Sequence, residues 1–281
     1  MELNQRAGGA EVEDHHVILA SGVQYWNEWR RQNPEMRPAL RRAVIRDGLL
    51  AKASLWGADL RGADLSGSNL LRADLKGADL TGANLDHVDL FCADLTRANL
   101  TGAVLTHAEL LEACLKEARL RKANLEGAYL RMAGLQGADL REGGLRRADL
   151  FQADLEGADL RGADFWTADL REASLVGADL RQVNLMRADL TDADLSEANL
   201  KEARELTLEQ LVRVKTLYRC KLDPEWMEQV EAQAPWLLEE PKPEEDEQKE
   251  EGEEDEGEAE DDDEEEDDDD DEGSVEDEEG G

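Results

Sequence analysis

From Leu40 to Leu200 a large apolar residue recurs at every fifth position, thirty-three times without an insertion. All of these are Leu except Ile45 and Phe165. Two residues earlier stands a small one, Ala in 26 of 30 cases from Ala53 to Ala198, so each unit supplies one small and one large apolar side chain. The unit reads A-(D/N)-L-x-x, as in Ala58-Asp59-Leu60-Arg61-Gly62. A helix turns about 100° per residue, so a five-residue step rotates each Leu about 140° from the last and leaves no apolar stripe. A straight strand fails by parity, because Leu60 and Leu65 would face opposite sides.

The spacing works if each pentapeptide is a short extended piece followed by a corner. Ala58 and Leu60 then point inward together, and Arg61-Gly62 turns the chain. Repetition makes a coil about a Leu-filled axis, stacked at the strand spacing of about 4.8 Å. Gly is frequent at the last position (Gly57, Gly62, Gly67, Gly77, Gly82, Gly102), where a corner needs unusual backbone angles. Asp or Asn precedes Leu in 21 of the 30 strict repeats, and both residues hydrogen-bond nearby backbone groups in turns.

On these residues the chain resembles the pentapeptide-repeat family over residues 38 to 204. The resemblance implies an all-β solenoid, a right-handed quadrilateral β-helix with four pentapeptides to a coil. Periodicity alone leaves three or five open. With four sides, thirty-three repeats make about eight coils, a rod of roughly 40 Å.

The expected organisation is an N-terminal helical cap and leader (1–37), the β-helix (38–204), a C-terminal helical cap (205–238) and an acidic tail (239–281). Of the formal net charge of −37, the tail supplies most: it holds 30 acidic and 2 basic side chains and is expected to be disordered. Ile18, Gly22, Val23, Trp26 and Trp29 follow a helical spacing that Asn33-Pro34 ends. The run Trp26-Asn27-Glu28-Trp29-Arg30 looks like the leader seen in many bacterial members of the family. After the repeats, Thr207 and Gln210 have capping-box spacing, with Leu208, Leu211, Val212 and Tyr218 expected on one side of a following helix. That segment reads as a cap; in several family members it also forms a twofold dimer, so a monomer and a C-terminal homodimer both stay open. Asp223-Pro224 opens a further short helix carrying Trp226, Met227 and Val230 and ending near Pro235. No stretch is long and apolar enough for a membrane span or a signal peptide, and three Cys residues make no disulfide framework. A cytoplasmic protein is expected, with no membrane partner.

With four repeats to a coil, residues twenty apart stack into columns. One column is mostly basic, and Arg121, Arg141, Arg161 and Arg181 form its candidate anion-facing strip. Asp139, Asp159 and Asp179 stand on the next column, so pairing is the favoured reading and direct nucleic-acid binding is not expected. A second column, Leu71, Phe91, Leu111, Arg131, Phe151, puts apolar side chains where the motif exposes polar ones, with Tyr129 and Met132 close by. Between residues 104 and 144 the Asp/Asn before Leu also breaks down, at Val104, Glu109, Cys114, Arg119, Tyr129, Gly134 and Gly144. Leu71, Phe91, Leu111, Tyr129, Met132 and Phe151 are therefore the candidate partner-binding residues, against an alternative of simple repeat drift. His87 and His107 share a column, but with no evident third ligand they read as stacked, solvent-facing imidazoles and not as a metal site. Gly143, one coil from Ala163 and next to Phe165, reads as size compensation.

No nucleophile–base grouping, phosphate-cradling loop or metal motif is present, so neither catalysis nor a cofactor is expected. Two functions fit. One is a non-catalytic protein-binding or scaffolding repeat protein, presenting a rigid surface and an acidic tail to protein partners, including partners with a basic surface. The other comes from the resemblance: DNA-mimicking protection of DNA gyrase or topoisomerase IV against quinolone-like inhibitors. The coils lack the inserted loops of some resistance members, and most of the acid is in the tail.

Overall fold

The computed structural model describes residues 15–241. The chain divides into two units, Met1–Pro241 and Lys242–Gly281. The expected disorder of the acidic tail thus falls almost wholly outside the described residues.

Parallel bridges join residues twenty apart in an unbroken series from Ala39↔Asp59 to Asn184↔Arg204. Twenty residues hold four pentapeptides, so each coil has four sides. Each side pairs through one residue per repeat, which makes it a bridge between corners and not an extended strand.

The backbone of one repeat shows why five residues suffice. Asp79 N–H donates to Ala58 O of the preceding coil (2.9 Å), while Leu60 N–H and Gly62 N–H donate to Asp79 O (2.8 Å) and Thr81 O (2.9 Å) of the next. Ala63 N–H closes the corner onto Leu60 O (2.9 Å). Gly62 has φ +63°, the positive angle that a type II turn demands at its third residue. The last repeat position is left-handed at every corner from Arg42 to Glu202, even where the residue is a β-branched Thr167 (φ +55°). Ladder bonds above and below hold each non-glycine corner against its intrinsic cost of about 1–2 kcal/mol.

Inside, the Leu and Ala columns are almost completely buried, and Phe165 takes a Leu place with no exposure. Each buried Leu contributes on the order of 1.5–3 kcal/mol, so the ladder of Leu side chains dominates stability. Ile45 is the partial exception, in the first coil. A Cβ at Gly143 would meet Leu140 O at 2.9 Å and Leu145 Cδ1 at 3.5 Å, with Ala123 O next, so its nearest constraint is the corner backbone and not the Phe165 ring.

At the N-terminal end, helices α1 (His15–Ala20) and α2 (Val23–Gln32) replace the single helix expected there. Gly22, at φ +106°, makes the break. The leader residues of α2 bond the open backbone of the first coil. Trp26 Nε1 donates to Ser54 O (2.8 Å), Asn27 Oδ1 accepts from Ser54 N–H (2.8 Å), and Arg30 donates to Trp56 O (3.0 Å). These are the groups that a preceding coil would have bonded. The buried Arg30 guanidinium also lies over the Trp56 ring at 4.1 Å; burial pulls its pKa below the usual arginine value.

The C-terminal end departs further from expectation. The capping box of Thr207 and Gln210 is present, but helix α3 ends at Leu211 (Leu208–Leu211). The chain then rejoins the solenoid: Thr216 bridges to Asp194 and Lys221 to Asn199. Leu217 and Leu222 extend the Leu columns, Cys220 takes an Ala place, and Arg219 is the left-handed corner (φ +55°). Gln210 serves here as Asn27 does at the other end, donating to Leu185 O (2.8 Å) and Ala188 O (2.9 Å). Helix α4 (Pro224–Gln233) and a short 3₁₀ turn (Pro235–Leu238) follow, burying Val230 and Leu237.

Candidate partner-binding surface

Four of the five N–H groups in a repeat go to the ladder and the corner. The fifth, on the residue after Leu, points along the outside of the rod. The Asp or Asn before Leu satisfies it: Thr81 N–H donates to Asp79 Oδ1 (3.2 Å), and Leu71 N–H to Asn69 Oδ1 (3.0 Å). Each of the 21 Asp or Asn residues at this place makes the same bond. This explains the second letter of the motif as an Asx turn that completes the backbone accounting. Thr216 Oγ1 does likewise for Tyr218 N–H (3.0 Å).

It follows that the irregular zone has a physical consequence. Val104, Glu109, Cys114, Arg119, Tyr129, Gly134 and Gly144 make no such bond, which leaves the outward N–H of Thr106, Leu111, Lys116, Arg121, Arg131, Gln136 and Arg146 without an acceptor among the described residues. These donors form a belt round the middle coils. Two of them, Leu111 and Arg131, are neighbours on the side that carries Tyr129 and Met132, which are 45% and 54% exposed.

On that same side, Leu71, Phe91, Leu111 and Phe151 are half-buried and stack along the column. Phe151 lies between two guanidiniums, Arg131 at 4.6 Å and Arg171 at 5.6 Å. The free apolar surface is thus narrower than the sequence column suggests and centres on Tyr129 and Met132. A surface depression lined by Gln152, Glu172, Ser174, Asp192, Asp194 and Lys215 lies outside the belt.

The anion-facing strip is occupied by its own neighbours. Arg141, Arg161 and Arg181 each grip the Asp two residues earlier, at 2.6 Å, 2.7 Å and 2.6 Å. Arg121 follows Arg119 and so has no such Asp; it reaches Glu142 at 2.6 Å. Bonding to Arg holds Asp139 and Asp179 below the usual carboxylate range. In the C-terminal segment, Leu211 is fully buried and Leu208 packs on the core, while Val212 is exposed and Tyr218 lies under Arg219 at 4.8 Å. His87 and His107 do stack, with ring centroids 4.8 Å apart. The sequence reading missed their neighbour Asp86, whose carboxylate lies 3.0 Å from His87 Nδ1. Among the described residues no helix is long and apolar enough to cross a membrane.

The geometry is that of a repeat solenoid. A profile of pentapeptide repeats matches the chain in eight copies, in overlapping stretches from residue 49 to 201, more than half of its length. The chain belongs to the pentapeptide-repeat family, whose members fold as right-handed quadrilateral β-helices. No curated protein matches it. Among solved structures it is similar to HetL, a pentapeptide repeat protein involved in heterocyst differentiation regulation in the cyanobacterium Nostoc sp. strain PCC 7120 (33% identity over 63% of this chain and 92% of that one, TM-score 0.30). It is also similar to a pentapeptide repeat protein of the Arabidopsis thaliana thylakoid lumen (27% identity, 39% and 75% covered, TM-score 0.33). A third is full-length QnrB1, a plasmid-mediated fluoroquinolone resistance protein (18% identity, 69% and 93% covered, TM-score 0.32).

Proposed function

We propose that this chain is a non-catalytic scaffold that binds a protein partner through its middle coils. The observation that carries the reading is the belt of unfilled backbone donors beside exposed Tyr129 and Met132. In the 21 repeats with Asp or Asn the same N–H is consumed by that side chain; outside the first coil and Val176, which follows Ser174, the unfilled ones gather here, left for carbonyl or carboxylate oxygens of a partner. Backbone donors on a stiff lattice lose little entropy on binding, and an adjoining aromatic and Met supply the apolar contact. Three unpaired thiols, Cys92, Cys114 and Cys220, suit a reducing setting such as the cytoplasm. Affinity capture from the native cell with the wild type and with Tyr129→Ser/Met132→Ser tests the reading. The double variant is expected to lose the specific partner; unchanged recovery would reject this surface.

Gyrase protection is the second reading, supported by the columns of regularly spaced Asp. It is weaker because Arg61, Arg141, Arg161, Arg171 and Arg181 pair with those carboxylates. A supercoiling assay with gyrase and a quinolone separates the two: rescue of supercoiling by stoichiometric protein would favour protection.

A further inference from the structure

We propose that Asp86, His87 and His107 form a binding site for a divalent transition-metal ion that joins two successive coils. One donor atom from each of the three residues lies within 4.8 Å of the others. The lattice gathers them: His87 and His107 occupy the same corner in consecutive coils, with rings inclined at 28°. Asp86 is tied into the group from two directions. Its Oδ2 is 3.0 Å from His87 Nδ1, and its Oδ1 accepts the hydroxyl of Thr106 in the next coil. Gly127 completes the arrangement, because a Cβ there would stand 2.9 Å from His107 Cδ2 and 3.1 Å from Nε2. The missing side chain makes room for the His107 ring along the column.

Two imidazole nitrogens and one carboxylate oxygen are a donor set for Zn²⁺ and its nitrogen-seeking neighbours, not for Mg²⁺ or Ca²⁺. Tetrahedral Zn²⁺ places its donors about 3.4 Å apart. Rotation of the exposed His87 and His107 side chains by roughly an ångström closes the present spread, and a fourth position remains for water.

The test is calorimetric titration of the full chain with zinc chloride, read together with the thermal midpoint. The wild type should show one site well above the carboxylate background, and zinc should raise its midpoint. His87→Asn and His107→Asn should each weaken the site by about tenfold or more and abolish the midpoint shift; Asp86→Asn should weaken it in the same direction. Asn is chosen because it tolerates the left-handed corner. Absence of a tight site in the wild type, or an equal site in the His87→Asn/His107→Asn double variant, would overturn the proposal.

Discussion

Thr167 shows what the corner demands of a single residue. A β-branched side chain sits at φ +55°, and its buried hydroxyl has no hydrogen-bond partner among the described residues. Thr167→Asn should therefore stabilise the rod by about 1 kcal/mol in urea denaturation; a loss of stability would show that the Thr methyl packs better than its backbone angle suggests. Cys220 is the opposite case, a residue suited to its place. Burial in an Ala position of the final, irregular repeat pushes its pKa up to about 12. In the folded protein, iodoacetamide should modify the partly exposed Cys92 and Cys114 well before Cys220. Equal rates would mean that the last coil opens readily.

The two ends are the elements where backbone pairing has to be replaced by side chains. Asn27 bridges Ser54 N–H and Lys52 O, the second at 3.0 Å. Asn27→Leu removes both bonds without removing bulk, and should cost about 1–2 kcal/mol and speed amide exchange at Ser54. Exchange at Leu125 or Leu145, in the middle of the rod, should be unchanged. If Ser54 stayed protected, the helix would be covering the edge by packing alone. Sequence pattern showed the leader and the box of Thr207 and Gln210, because both are short local signals. It did not show the break at Gly22 or the return of Thr216 to the ladder. The second was within reach: Leu217 and Leu222 keep the five-residue step, but Cys-Lys replaces Ala-Asp, and the two-residue shift in register hid the repeat.

At the scale of the molecule, paired carboxylates set the response to acid. Asp64 is lowered to about 2 by the Ser66 hydroxyl and Arg46, and Asp59, Asp139, Asp169 and Asp179 are lowered by Arg two residues on. A carboxylate with a lower pKa in the folded state adds stability above its unfolded value, near 3.8, and that stability is lost as pH falls through the folded value. The thermal midpoint should thus be nearly level from about pH 5 to 8 and drop below about pH 4. These pairs lie on the surface, so the drop should be modest and smaller in high salt; a flat profile down to pH 2.5 would mean that they contribute nothing.

The fold was legible because one period runs through 161 residues, from Leu40 to Leu200. The site was legible only in part. The loss of Asp and Asn between residues 104 and 144 stands in the letters, but its meaning depends on which backbone donor that side chain serves. Likewise, the Phe91 and Phe151 column looked open until the stacking of neighbouring coils half-buried it.

The most direct test refills the belt. Cys114→Asp, Tyr129→Asp and Gly134→Asp together restore the acceptor at three repeats. Each restored bond should add about 0.5–1.5 kcal/mol, so the triple variant should be at least as stable as the wild type. If the unfilled donors and Tyr129 bind a partner, quantitative capture should show that partner lost while the thermal midpoint holds or rises. Retention of the same partners at wild-type levels by this well-folded variant would contradict the account.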